Sequence, residues 1–170
     1  MSKRRAPLAA CVVLCAGLGV GPAFAQSVKQ IGIFHDWSAY SASEGADAIC
    51  FAMAKPSEVA PSPDDYTQAY LYLTRRPSQN VSDELNLVAG FMFQPDSTAT
   101  LSVVGQNYQL FTQNDAAWLQ DPTQNDNLAG MMRAGTSVVI EGISDKGIKV
   151  KETFSLSGAT AATKAVSTGC

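Results

Sequence analysis

The chain has 170 residues, a net charge of −3 and 46% hydrophobic residues, enough apolar material for one packed domain behind a leader. Its twelve Lys and Arg are scattered among fifteen Asp and Glu, which excludes the concentrated basic face that nucleic-acid phosphates require. One histidine and, outside the N-terminal apolar segment, two cysteines are too few for the usual zinc centres, so no metal ligands and no cofactor site are expected.

Lys3, Arg4 and Arg5 give a positive start, residues 8–20 are apolar and uncharged, and Ala23-Phe24-Ala25 has small residues at the spacing of a cleavage site. The pattern predicts a secretory signal peptide over residues 1–25, cut between Ala25 and Gln26, and one domain over residues 26–170. The apolar run is too short and too Gly-rich for an anchor, and no later stretch is apolar enough to be a transmembrane segment. Leu8-Ala9-Ala10-Cys11 resembles a lipoprotein box, but only residues 6–10 separate it from the basic start, and Cys15 follows Leu14, a poor small-residue match. On either reading the protein is exported, most simply to a bacterial periplasm, with outer-membrane association or secretion as further destinations. Residues 1–25 carry three positive charges and no acid, so the remaining 145 residues carry −6. Two cysteines remain, Cys50 and the terminal Cys170. An even pair in an oxidising compartment predicts a Cys50–Cys170 disulfide tying the C-terminal helix to an early strand; the alternative is two free buried thiols.

The elements follow in chain order. Ile31 and Ile33 alternate with Gln30 and Gly32 as a short strand. Residues 41–47 are small and polar and predict a loop; residues 48–54 predict a strand carrying Cys50. Residues 56–65, with three prolines, predict an extended loop. In residues 68–74 Ala69, Leu71 and Leu73 face one way and Tyr70, Tyr72 and Thr74 the other, until Arg75-Arg76-Pro77 stops the strand. Residues 84–93 predict the longest strand, with Leu85, Leu87, Ala89, Phe91 and Phe93 on one face. Residues 99–104 and 107–112 predict a hairpin turning at Gly105-Gln106 as type II′, and Trp118 lies on a short strand after a polar turn.

Asp121-Pro122 starts a helix, Asp121 as cap and Gln124 completing a capping box. Leu128, Met131 and Met132 share its inner side, where vicinal Met is far more often core than a copper ligand pair. Gly135 is expected to end the helix in the left-handed conformation. Residues 137–141 predict a strand, Asp145-Lys146-Gly147 a turn, and Ile148, Val150, Phe154 and Leu156 the inner face of the next strand. Glu152 breaks that face and is expected near an open end or beside a basic group. Ser157 is expected to cap a last helix with Ala159, Ala162 and Val166 inside. Eight or nine short strands and two small helices, one C-terminal, predict an all-β antiparallel sandwich or barrel.

Chemistry is sparse. His35 lies beside Asp36 in an expected strand, where neighbours point to opposite faces and cannot form a relay; a hydrolase using His35 would need a distant acid and an activated serine. Gly142-Ile143-Ser144-Asp145-Lys146 lacks the closing Gly of a nucleophile elbow. Asp121, Asn125 and Asp126 lack calcium-loop spacing. Asn80-Val81-Ser82 matches a glycosylation sequon but reads as a turn. Arg75-Arg76 has the chemistry to grip an anion, and Trp37, Tyr70 and Tyr72 that of a binding face, although strand ends and cross-strand pairs account for both. No catalytic, cofactor-binding or metal residues are assigned.

The segments Asp36-Trp37-Ser38-Ala39-Tyr40, Cys50-Phe51-Ala52-Met53-Ala54-Lys55-Pro56 and Thr74-Arg75-Arg76-Pro77 come in this order. They are followed by Glu84, Gly90-Phe91-Met92-Phe93, Ala117-Trp118-Leu119, Met132-Arg133-Ala134-Gly135, Val138-Val139-Ile140-Glu141-Gly142-Ile143-Ser144, Phe154-Ser155-Leu156-Ser157-Gly158 and Cys170. Together they resemble the invasion-associated locus B family across essentially the whole mature chain. The sequence departs at Asp145-Lys146-Gly147-Ile148, where that family tends to have Arg-Gly-Thr, and at Phe154, where Tyr is common. The resemblance implies an exported, β-rich proteobacterial protein without known catalysis, whose founding members are linked to host-cell invasion. It brings no catalytic residues. The function expected is non-enzymatic, through surface contacts with an envelope or host protein. The alternative is a periplasmic small-molecule binding module with a pocket at the mouth of the sandwich or barrel.

Overall fold

The computed structural model describes residues 28–44 and 47–170. Residues 1–25 and the expected Ala25–Gln26 cleavage site lie outside the described residues.

The described residues form one antiparallel sheet of eleven strands with two α-helices, in keeping with the all-β expectation. The strands are β1 Lys29–Phe34, β2 Trp37–Glu44, β3 Asp47–Ala54, β4 Glu58–Ala60, β5 Tyr70–Arg76, β6 Val81–Val88, β7 Thr98–Val103, β8 Gln106–Gln113, β9 Ala116–Leu119, β10 Ser137–Ile143 and β11 Lys149–Ser155. The helices are α1 Asn125–Ala134 and α2 Ala159–Gly169. The sheet order is β1-β2-β3-β5-β6-β9-β8-β7-β10-β11-β4, with β1 and β4 as its two edges. It is not closed, yet it curls: the Asp36 amide donates to the Ser157 carbonyl at 3.2 Å, and Trp37 Nε1 donates to the Ser155 carbonyl at 2.8 Å, joining the β1–β2 end to the end of β11.

Alternation builds the core. Leu71 and Leu73 of β5, Leu85 and Leu87 of β6, Leu101 of β7, Leu110 of β8, Ile140 of β10 and Phe154 of β11 are all buried on the inner side, as period-two patterning requires. Leu128 and Met132 of α1, and Ala159, Ala162 and Val166 of α2, complete it. The space left between the helices, beside Leu73, Ala129, Met132 and Ala159, is about 10 Å³, so the helices pack closely on the sheet there. Cys50 and Cys170 form a disulfide-distance pair, with Cα atoms 5.8 Å apart.

Several local expectations are revised. Within the expected 41–47 loop, the described residues 41–44 and 47 are strand: Ser41, Ala42 and Ser43 pair with Cys50, Ile49 and Ala48, because ladder hydrogen bonds extend a hairpin beyond the core without apolar side chains. The proline-rich segment contains the edge strand β4. The strand expected to run to Phe93 ends at Val88; Gly90 has φ +73°, and an added Cβ there would lie 2.7 Å from the Thr67 carbonyl oxygen. Even so, Ala89, Phe91 and Phe93 keep to the core. In the β7–β8 turn Val104 and Gly105 both have positive φ, which is type I′ rather than II′. Gly135 is extended, at φ −89°; it is needed because a Cβ would meet Leu156, Val104 and Val103 at 3.1–3.2 Å. Gly158, not Ser157, precedes the last helix, at φ +94° and against the Phe34 carbonyl.

Candidate functional site

The outer face of the sheet carries the residues that the inward alternation leaves over. Cross-strand register aligns Met53, Tyr72, Asn86, Trp118 and Phe111 in one row across β3, β5, β6, β9 and β8. Trp118 stacks on Phe111, ring centroids 5.3 Å apart and planes 19° apart. Tyr40 stacks on Phe51 at 5.3 Å, Phe51 meets Tyr72 edge-on at 5.8 Å, and Tyr70 follows at 6.1 Å with the Lys55 ammonium above its ring. Burial raises the Tyr72 hydroxyl pKa. Most of these rings are partly exposed, and Phe111 is 44% exposed. Aromatic rings that keep one face in water are the usual material of a recognition surface.

At one end of the row the sheet surface becomes concave. Trp118, Phe111 and Leu119 form the floor, Glu84 and Gln113 the rim, and Pro122 and Asn125 the wall of a groove of about 330 Å³. The wall is fixed by capping. The Asp121 carboxylate accepts from the Thr123 amide at 3.0 Å, from the Thr123 hydroxyl at 2.7 Å and from Gln124 Nε2 at 3.1 Å. Those bonds lower the Asp121 pKa. Gln124 thus bonds the cap side chain, not the cap amide that a capping box would use. Asn125 Oδ1 accepts from the Leu85 amide at 3.3 Å and binds the wall to β6. Glu84 pairs with Arg76, and no basic side chain lines the groove.

The residues singled out from sequence part company here. Tyr70 and Tyr72 lie on the outer face, but Trp37 is fully buried in the core. His35 is exposed in the β1–β2 turn at φ +53°, not in a strand, and donates to or accepts from no side chain among the described residues. Among the described residues no three His, Cys, Asp or Glu side chains cluster as metal ligands. Met132 is buried in the core and Met131 packs against it. Phe111 and Trp118 were not singled out as a site. Their signal was present, since each is out of phase with buried neighbours: Leu110 beside Phe111, Ala117 and Leu119 beside Trp118.

Glu152 is the sharpest correction. It lies neither at an open end nor beside a basic group. Its side chain is 1% exposed, between Ile140 of β10 and Val59 of β4 in the register, and neither carboxyl oxygen has a hydrogen-bond partner. Burial pushes its pKa up to about 8, opposed only by the nearby Tyr66 hydroxyl. Residues 55–69 are strapped over it: the Ser57 amide donates to the Thr153 carbonyl at 2.7 Å, the Tyr66 hydroxyl accepts from the Ala69 amide at 3.2 Å, and Lys146 pairs with Asp65 at 2.9 Å.

The class these features define is an all-β antiparallel protein with a helix-filled interior and an aromatic outer face. The family model described as Invasion associated locus B (IalB) protein matches residues 37–167, and the chain belongs to that family. Searches of curated proteins and of solved structures return no match. Among the described residues no helix is long and apolar enough to cross a membrane.

Proposed function

We propose that this is an exported, non-enzymatic protein of the cell envelope that works through contacts of its outer sheet face. The observation that carries the reading is the row of partly exposed rings ending in the Phe111–Trp118 groove. Family membership supports it. So does the leader pattern of residues 1–25, which implies a mature domain beginning at Gln26. A partner in the envelope or on a host cell would meet this face, and the Cys50–Cys170 bond would hold the domain together outside the cytoplasm.

The test is crosslinking in living cells with a photoreactive residue at position 111. A discrete adduct is expected, lost when Trp118→Ala removes the neighbouring ring. No adduct from the groove, with crosslinks arising elsewhere on the surface, would sink the assignment to this face. Terminal sequencing of the exported protein checks the start at Gln26, and the intact mass checks for two missing protons.

The groove also favours a second reading, a small-molecule binding module, since about 330 Å³ with an aromatic floor suits a small ligand. That reading requires a saturable ligand whose affinity drops in Phe111→Ala.

A further inference from the structure

Arg75 and Arg76, adjacent in sequence, go to different places. Arg76 is held by Glu84. Arg75 lines a separate cleft of about 280 Å³ with Arg133 of α1 and Lys164 of α2. Three of the nine Lys and Arg in the described residues converge there, in a domain whose net charge is −6. The only acid on its walls is Asp83, which Arg133 approaches at 3.9 Å, beyond hydrogen-bonding distance. Neither Arg75 nor Lys164 has an acidic partner among the described residues. Arg75 Nε is moreover buried with no acceptor. A donor left in that condition costs stability unless something else satisfies it.

The opposite wall is one face of α2. Thr160, Lys164 and Ser167 follow at helical spacing and all line the cleft. The Thr160 and Ser167 hydroxyls are not engaged elsewhere among the described residues, whereas Thr163 donates back to its own helix. This wall is set by the end of the chain. Cys50 is the direct cross-strand partner of Arg75, and Cys170, three residues beyond Ser167, reaches Cys50. The cysteine pair therefore seats the hydroxyl- and amine-bearing face of α2 against the guanidinium of Arg75.

We propose that this cleft binds a phosphate-type oxyanion, with Arg75, Arg133 and Lys164 as its cationic groups and the Cys50–Cys170 tie holding α2 as its wall. Two guanidiniums, an ammonium and two free hydroxyls offer more donors than a planar carboxylate accepts. They suit the three terminal oxygens of a phosphate. Three cations against one carboxylate leave a surplus of two positive charges, which matches a dianion. The cleft is open to water, so binding is salt-sensitive. It does not depend on the outer-face reading above.

The experiment titrates the oxidised protein with inorganic phosphate at low ionic strength, following backbone amide resonances. Saturable shifts confined to the neighbourhood of Arg75, Arg133 and residues 160–167 are expected. Lys164→Glu and Arg133→Gln, both at exposed positions, should weaken binding at least tenfold with an unchanged melting temperature. Trp118→Ala, outside the cleft, should bind as the parent does. Cosedimentation with phosphatidic acid vesicles but not phosphatidylcholine vesicles, lost in Lys164→Glu, would support the site with a lipid phosphomonoester headgroup as ligand. Phosphate binding without vesicle binding would support it with a free phosphate or phosphomonoester. Shifts that never saturate, or that Lys164→Glu leaves untouched, overturn the site. A folded Cys170→Ser variant should bind more weakly, and equal affinity would overturn the role given to the tie.

Discussion

Burial of Glu152 gives the fold a stability that depends on pH. The folded form holds its proton up to about pH 8, whereas an unburied carboxyl releases it near 4.5. Between those values the unfolded chain binds fewer protons than the folded one, so stability falls as pH rises, by about 1.4 kcal/mol per pH unit. The contribution is complete below the lower value and gone above the upper one. Glu152→Gln keeps the shape and removes the titration. Denaturant melts from pH 5 to pH 9 should show a flatter profile in this variant, which should exceed the parent by a few kcal/mol near pH 8. Parallel profiles would mean that the carboxyl is not buried in solution. Gly158 is constrained more tightly still. A Cβ there would overlap the Phe34 carbonyl, and φ +94° is strained for any side chain. Gly158→Ala should therefore cost more than the roughly 1 kcal/mol typical of a left-handed glycine alone, read as a drop in the urea midpoint.

At the scale of elements, local chemistry and tertiary packing share the work. Alternation in β5 and β6 was legible because their leucines keep strict period two, and both strands bury them as expected. The start of the α1 region was legible for the same kind of reason, since Asp121 and Pro122 act on their immediate neighbours. Asp121→Ala should lower the urea midpoint, as loss of a capping side chain does, and loosen the groove wall at Pro122. The β2–β3 hairpin was not legible at its outer end. Residues 41–47 carry no apolar pattern, and the pairing of Ser41, Ala42 and Ser43 is imposed by the register of Trp37 with Ala54 and Ala39 with Ala52. Gly135 shows the reverse error. A helix-ending glycine suggested a left-handed turn, but its lack of a side chain serves the packing of Leu156 and the β7–β8 turn.

For the whole molecule, the Cys50–Cys170 pair spans 120 residues of sequence and joins the C-terminal helix to the third strand. A bond across so long a loop stabilises by about 4–5 kcal/mol on the chain-entropy account. Reduction, or Cys170→Ser, should lower the urea midpoint of the whole domain in one transition, and α2 amides should exchange fastest. A reduced protein as stable as the oxidised one would mean that the packing of Ala159, Ala162 and Val166 alone holds α2. The open, curled sheet makes this tie matter, because β1 and β4 are its edges and the β1–β2 end meets the end of β11 through the Asp36 and Trp37 hydrogen bonds rather than through a strand ladder.

Sequence alone determined the all-β class, the inward residue of nearly every strand, the capped turn at Asp121-Pro122 that leads into α1, the family and the cysteine pairing. Each depends on short-range periodicity, on neighbours along the chain, on the order of short motifs, or on Cys50 and Cys170 being the only cysteines outside the N-terminal apolar run. Tertiary structure decided the rest. It placed Trp37 inside and Trp118 outside, sealed Glu152 beneath the 55–69 strap, and brought Arg75, Arg133 and Lys164 from three elements into one cleft. The reason is that a strand's alternation states which side chains share a face but carries nothing about which strand or helix will lie beside it. That neighbour is chosen by long-range register and the curl of the sheet.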